Sequence, residues 1–60
     1  MNAHEIMTVE EVAAYLKVHP TTVYKLVKRK ELPCFRVGSE LRLRKADVDE
    51  WIREREKCPP

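Results

Sequence analysis

The sequence predicts a mainly α domain: three short helices, with a small two-stranded β-hairpin between the second and the third. Three observations carry that prediction. Apolar residues recur at helical spacing in two stretches, Val9–Leu16 and Pro20–Lys30, separated by the three-residue joint Lys17-Val18-His19. A single glycine, Gly38, interrupts the alternating run Cys34–Arg44. Helical spacing then returns from Lys45 onward.

The first helix has a readable start. Thr8 and Glu11 form a capping box, in which hydroxyl and carboxylate each satisfy an orphan backbone N–H. Val9, Val12, Ala13 and Leu16 fall on one stripe, and Glu10 and Glu11 sit at the positive end of the helix dipole. At the joint, Lys17 takes the place where a tight turn enters the left-handed region, at a cost for a non-glycine residue on the order of 1 kcal/mol. Val18 is expected to plug the space between the two helices. His19-Pro20 restarts the chain, because proline suits the first helical position and pushes the residue before it into the extended geometry of an N-cap.

In the second helix, Val23, Leu26 and Val27 form the inward stripe. That leaves Thr21, Thr22, Lys25, Lys28 and Arg29 outward and Tyr24 at the border. Pro33 stops the helix, and Leu32 is expected to fold back onto the core. In the hairpin, strands Cys34–Val37 and Leu41–Arg44 flank Gly38-Ser39-Glu40. A two-residue turn would set Phe35 opposite Arg42 and Val37 opposite Glu40, mixing apolar and charged groups. A three-residue loop pairs Phe35 with Leu43 and Val37 with Leu41, and is the register expected here. It leaves Cys34, Arg36, Arg42 and Arg44 together on the other face. In the third helix, Val48, Trp51, Ile52 and the stem of Arg55 share a stripe, with Trp51 as a core anchor and Asp47 and Asp49 in the early turns.

Sixty residues form one domain at most, with a core of about 7–55 and loose ends at 1–6 and 56–60. A chain this short has little stability to spare for a strained catalytic cleft, so the expectation is a non-enzyme. Cys34 and Cys58 lie without a CxxC or paired-histidine spacing, so free thiols and no metal are expected. No cofactor or small-molecule ligand is expected either. No apolar run is long enough for a membrane span and no signal-peptide pattern opens the chain, which points to a cytoplasmic protein.

The net charge of +2 is small, but its distribution is uneven. Residues 1–16 carry three acids and no Lys or Arg, whereas residues 17–30 carry five basic residues and no acid. Residues 34–45 add four basic residues against Glu40 alone, and residues 46–60 return to five acids against three bases. Two basic blocks between acidic ones are the footprint of a polyanion binder. Two helices across a tight turn, with the second one basic, suit a helix laid in the DNA major groove. Threonines early in such a helix can reach base edges, and late lysines and arginines meet phosphates. The rival reading is a protein-binding adaptor that uses Tyr15, Tyr24 and the acidic side of the third helix.

The run TVEEVAAYLKVHPTTVYKLVKRKELPCFRVGSELRLRKADVDEW resembles the excisionase-type, MerR-like winged helix-turn-helix domain. The shared features are T-x-E-E-V-A-x-Y-L in the first helix, V-x-x-x-T-V-Y-x-L-V in the second, L-P-x-F-R-V-G leading into the wing, the returning R-L-R, and D-V-x-x-W in the closing helix. Lys17 and His19 depart from the usual glycine and small hydroxyl at the turn. The resemblance implies double-stranded DNA as partner, with the second helix in the major groove and the wing in the adjacent minor groove. It also implies a role in recombination directionality or transcription regulation, with neighbouring copies of the chain or a recombinase as companions on DNA. Carried over by position it points to Thr21, Thr22, Lys25, Lys28, Arg36 and Arg42, to which the charge pattern adds Arg29 and Arg44.

Overall fold

The computed structural model describes residues 5–56. In chain order the elements are β1 (Ile6–Met7), α1 (Val9–Leu16), α2 (Pro20–Lys28), β2 (Phe35–Val37), β3 (Glu40–Arg44) and α3 (Lys45–Glu56). The three helices and the ribbon between α2 and α3 are those the sequence predicts. The sheet has one strand more.

Local chemistry sets the helix ends. The capping box forms: the Glu11 N–H donates to Thr8 Oγ1 at 3.0 Å and the Thr8 N–H to Glu11 Oε1 at 2.8 Å. α1 closes through Lys17 at φ 59° and ψ 47°. The N–H groups of Lys17 and Val18 reach back to the carbonyls of Ala14 and Ala13 and satisfy the last turn. α2 starts at Pro20, and His19 Nδ1 accepts from the Thr21 N–H at 3.1 Å. It closes just as α1 does: Lys30 stands at φ 62°, and the N–H groups of Lys30 and Glu31 donate to the carbonyls of Val27 and Leu26. The helix therefore ends at Lys28 rather than Lys30. Neither Gly nor Asn marks that second left-handed position, so the sequence hides it.

The strand order is β1-β3-β2, antiparallel throughout. Ile6, expected in a loose lead, pairs with Arg44, Met7 pairs with Leu43, and the Lys45 N–H donates to the Glu5 carbonyl at 2.9 Å. The physical reason is Met7, whose buried side chain covers Leu43. A two-residue strand has no periodicity to announce it. Glu56, expected in the loose end, is the last residue of α3. The expectations for residues 1–4 and 57–60, including the thiol state of Cys58, lie outside the described residues.

The ribbon corrects the expected register. Phe35 faces Arg42, Arg36 faces Leu41 and Val37 faces Glu40, around a two-residue turn at Gly38-Ser39. Gly38 has φ +65° and Ser39 does not share the positive φ, the pattern of a glycine-first hairpin turn. The inner face of β3, Leu41 and Leu43, packs on the core without help from Phe35. Phe35 is paired with Arg42, the Arg44 guanidinium sits 5.6 Å from its ring centre, and its half-buried ring also borders the hollow toward α2. Matching apolar faces across the ribbon overlooked that an arginine stem can cover an aromatic ring as well as a leucine can.

The core joins Val9, Val12 and Ala13 of α1 to Val23, Leu32, Leu43 and Val48. Leu32 is folded in as expected. Val18 does not plug the helix joint: it is 39% exposed, at the rim of a shallow apolar hollow with Tyr15, Leu26, Trp51 and Ile52. Its backbone closes α1, and that fixes its side chain outward. Trp51 is half-buried against the core, with the Arg55 guanidinium 4.8 Å from its ring centre. Two polar ties hold α3 in place. The Tyr15 hydroxyl donates to Asp49 Oδ1 at 2.6 Å, and Arg55 pairs with Glu31 at 2.6 Å. Among the described residues no helix is long and apolar enough to cross a membrane.

Candidate nucleic-acid interface

α2 is held by one buried residue, Val23, and two half-buried ones, Leu26 and Val27. With about 100° between successive residues, this anchoring fixes the direction of every other side chain. Thr21 and Lys25 stand at the outer crest. Tyr24 and Lys28 lie on the flank that faces the ribbon, where they line a hollow with Cys34, Phe35, Arg36 and Leu41. Thr22 lies on the other flank, toward Tyr15, Val18 and Trp51. Arg29, just past the helix end, is exposed. Thr21, Thr22, Lys25 and Lys28 are exposed as well.

The ribbon does not gather its arginines. Arg36 shares the inner face with Leu41 and points its charge toward α2, whereas Arg42 and Arg44 stand on the outer face beside Phe35. This departs from the expectation that Arg36, Arg42 and Arg44 share a face, and the cause is the one-residue shorter loop, since strand side chains alternate. Arg42 turns along its own strand and donates to the Leu41 carbonyl at 2.7 Å and to the Glu40 carboxylate. Arg44 lies over Phe35 at the base of the ribbon.

The cations thus fall into two sets. Arg42, Lys45 and Arg55 are paired with Glu40, Asp49 and Glu31. Among the described residues, the other eight have no carboxylate partner: Lys25, Lys28, Arg29, Lys30 and Arg36 belong to α2, its end or the inner face of the ribbon, while Lys17 ends α1, Arg44 lies on Phe35 and Arg53 is on α3. In the paired set, Lys45 is held above its ordinary value by its hydrogen bond to Asp49. Asp49 is held below the usual carboxylate value, first by the Tyr15 hydroxyl and then by Lys45.

Tyr24, which the sequence reading put at the border of the helix face and gave to the protein-binding alternative, stands instead beside the candidate DNA contacts. It is 48% exposed and lines the ribbon-side hollow, and its spacing of four from Lys28 was the available signal. Cys34 is an exposed free thiol beside it. Among the described residues no group of three or more His, Cys, Asp or Glu is placed to hold a metal ion.

The helix-turn-helix domain family matches residues 6–56, β1 through α3. The uncharacterized protein YvgK of Bacillus subtilis is 43% identical over 51 residues, which are 85% of this chain and 17% of YvgK. A Mycobacterium tuberculosis protein named "Putative DNA-binding protein Rv0500A" is 42% identical over 48 residues, 80% of this chain and 62% of that protein. The chain thus spans less than two thirds of either relative. No solved structure matches it.

Proposed function

The chain belongs to the helix-turn-helix domain family, and from that premise we propose that it binds double-stranded DNA sequence-specifically, without catalysis. In this reading α2 lies in the major groove, with Thr21 and Lys25 at base edges and Lys28 and Arg29 at phosphates. The ribbon lies against the flanking backbone and the adjacent minor groove, where Arg36 is its principal contact. Arg42 and Arg44 are secondary, one engaged by Glu40 and the other stacked on Phe35. Thr22, on the flank away from the ribbon, reads the edge of the site. The biological role is that of an excisionase-like recombination directionality factor or a small transcriptional regulator.

One observation carries the reading. Among the described residues, five of the eight cations without a carboxylate partner belong to α2, its end and the facing side of the ribbon, while three of the five on β3 and α3 are paired with neighbouring acids. A polyanion gains most where counter-charge is not already supplied. Fluorescence anisotropy with duplex DNA across a salt series tests it. Five neutralised phosphates give a slope of log K against log salt near about −4.5. Absence of binding at low salt, or binding indifferent to salt, overturns the reading.

The size of YvgK favours a second reading, in which this fold is the DNA-targeting module of a larger assembly. There the apolar hollow around Val18 and Trp51 would meet protein while α2 meets DNA. Chemical-shift perturbation separates the two, since a DNA-only role leaves the signals of Val18 and Trp51 in place.

A further inference from the structure

Two hollows meet between α2 and the ribbon, and Tyr24 and Arg36 line both of them. One continues past Glu10 and the ion pair of Glu40 with Arg42. The other continues past Lys28, with Val27, Phe35 and Leu41 as its apolar lining. Among the described residues, neither the Tyr24 hydroxyl nor the Arg36 guanidinium has a hydrogen-bond or ion-pair partner, and both residues are exposed. Two exposed donors of different shape, on facing elements above an apolar floor, suit a single tetrahedral anion better than a base edge. The guanidinium fork takes two anion oxygens and the phenol a third.

We propose that the Lys28 side of this cleft seats one phosphodiester of the DNA strand that runs between the two grooves. Tyr24 and Arg36 hold the phosphate from opposite sides, and Lys28 supplies additional charge. This rests on the DNA-binding reading above and adds to it a defined phosphate seat and a ligand, Tyr24, that charge alone does not reveal. The neighbouring hollow, where Glu40 is already paired with Arg42 and Glu10 adds a further negative charge, is the less favourable seat. The seat locks α2 to the ribbon: an anion shared between them fixes the angle at which α2 enters the groove, so Tyr24 is a positioning residue for recognition.

The test is a methylphosphonate scan on a 20-base-pair duplex recovered by selection from a random pool. Each phosphate is neutralised in turn and affinity is measured for the wild type, Tyr24→Phe and Arg36→Gln. The expected result is one position where neutralisation weakens the wild type about tenfold, as loss of hydrogen bonds to a charged group does. At that position the two variants lose less than about threefold, because their contact is already gone. Circular dichroism checks the fold of both variants, whose altered groups are exposed. If the wild type binds the duplex but every phosphate weakens wild type and variants equally, the seat is overturned and DNA binding stands. If no duplex is recovered or bound, the DNA reading falls and the seat falls with it.

Discussion

The two charged sides of this domain are built from the same residue types and differ in what surrounds them. On α3 and the outer face of β3, Arg42, Lys45 and Arg55 each hold a carboxylate, at the ribbon tip, the start of α3 and the link after α2 respectively. On α2 and the inner face of the ribbon, Lys25, Lys28, Arg29 and Arg36 hold none among the described residues. Acids are excluded from residues 17–30 and concentrated in residues 46–60. The first side spends its charge inside the fold, within β3, within α3 and, through Arg55 and Glu31, between α3 and the link after α2. The second leaves its charge available, and the protein does not lose stability by doing so because those side chains are solvated.

Reversing charge on each side is the strongest way to break the comparison. Lys25→Glu with Lys28→Glu is expected to weaken duplex binding on the order of a hundredfold at about 0.1 M salt. The unfolding free energy should stay within about 0.5 kcal/mol, because both positions are exposed. Arg55→Ala is expected to do the opposite: DNA affinity holds, while the melting temperature falls as the Glu31 tie and the cover over Trp51 are lost. Anisotropy and thermal melts on the three proteins decide it, and equal loss of affinity in both cases would erase the distinction between the sides.

The ribbon allows a finer comparison within one element. Arg36→Ala is expected to weaken binding about tenfold and to flatten the salt slope by about 0.9, one phosphate contact. Arg42→Ala, whose guanidinium is already engaged by Glu40, is expected to change affinity less than about threefold. The sequence alone treats these arginines as equivalent, since the pairing partner that separates them depends on a one-residue choice of loop length.

That contrast shows which parts of the molecule the sequence discloses. The Thr8 and Glu11 box, Lys17 at the turn and Pro20 after His19 each depend on residues within four positions, and all are where local chemistry puts them. The register of the ribbon, the pairing of Ile6 with Arg44 and the bond from Tyr15 to Asp49 depend on residues brought together by the whole fold. Tyr24 belongs with these: its surroundings are supplied by a ribbon more than ten residues later. The outward side chains of α2 were legible because one helix face decides them, and the faces of the ribbon arginines were not.

A substitution at the end of α2 separates stability from binding. Lys30 adopts φ 62°, so Lys30→Gly relieves left-handed strain and is expected to raise stability by up to about 1 kcal/mol. It also removes a cation without a carboxylate partner, so duplex affinity should fall a few-fold. Lys17→Gly, at φ 59° but at the end of α1, is expected to give the same stabilisation with a smaller change in affinity. Denaturant melts and anisotropy on both variants check this. Equal loss of affinity would extend the DNA-facing side to the end of α1.

The smallest expected effect concerns the paired side. In Tyr15→Phe the hydroxyl that most strongly holds Asp49 below the ordinary value of 3.8 is lost, so the folded-state value moves back up. A depressed carboxylate stabilises the fold fully above its unfolded value and loses that contribution as pH falls through the folded one. The melting-temperature gap between wild type and Tyr15→Phe should therefore be steady near neutral pH and close as pH falls below 3.8. Lys45 has the opposite sign: raised above 10.5, its contribution is complete below that value and fades only above it, outside the acid window. A gap that persists unchanged into acid would mean that the Tyr15 ring, and not its bond to Asp49, ties α1 to α3. In either case duplex affinity near neutral pH should be unaltered, because Tyr15 and Asp49 tie α1 to α3, away from Lys25, Lys28 and Arg36.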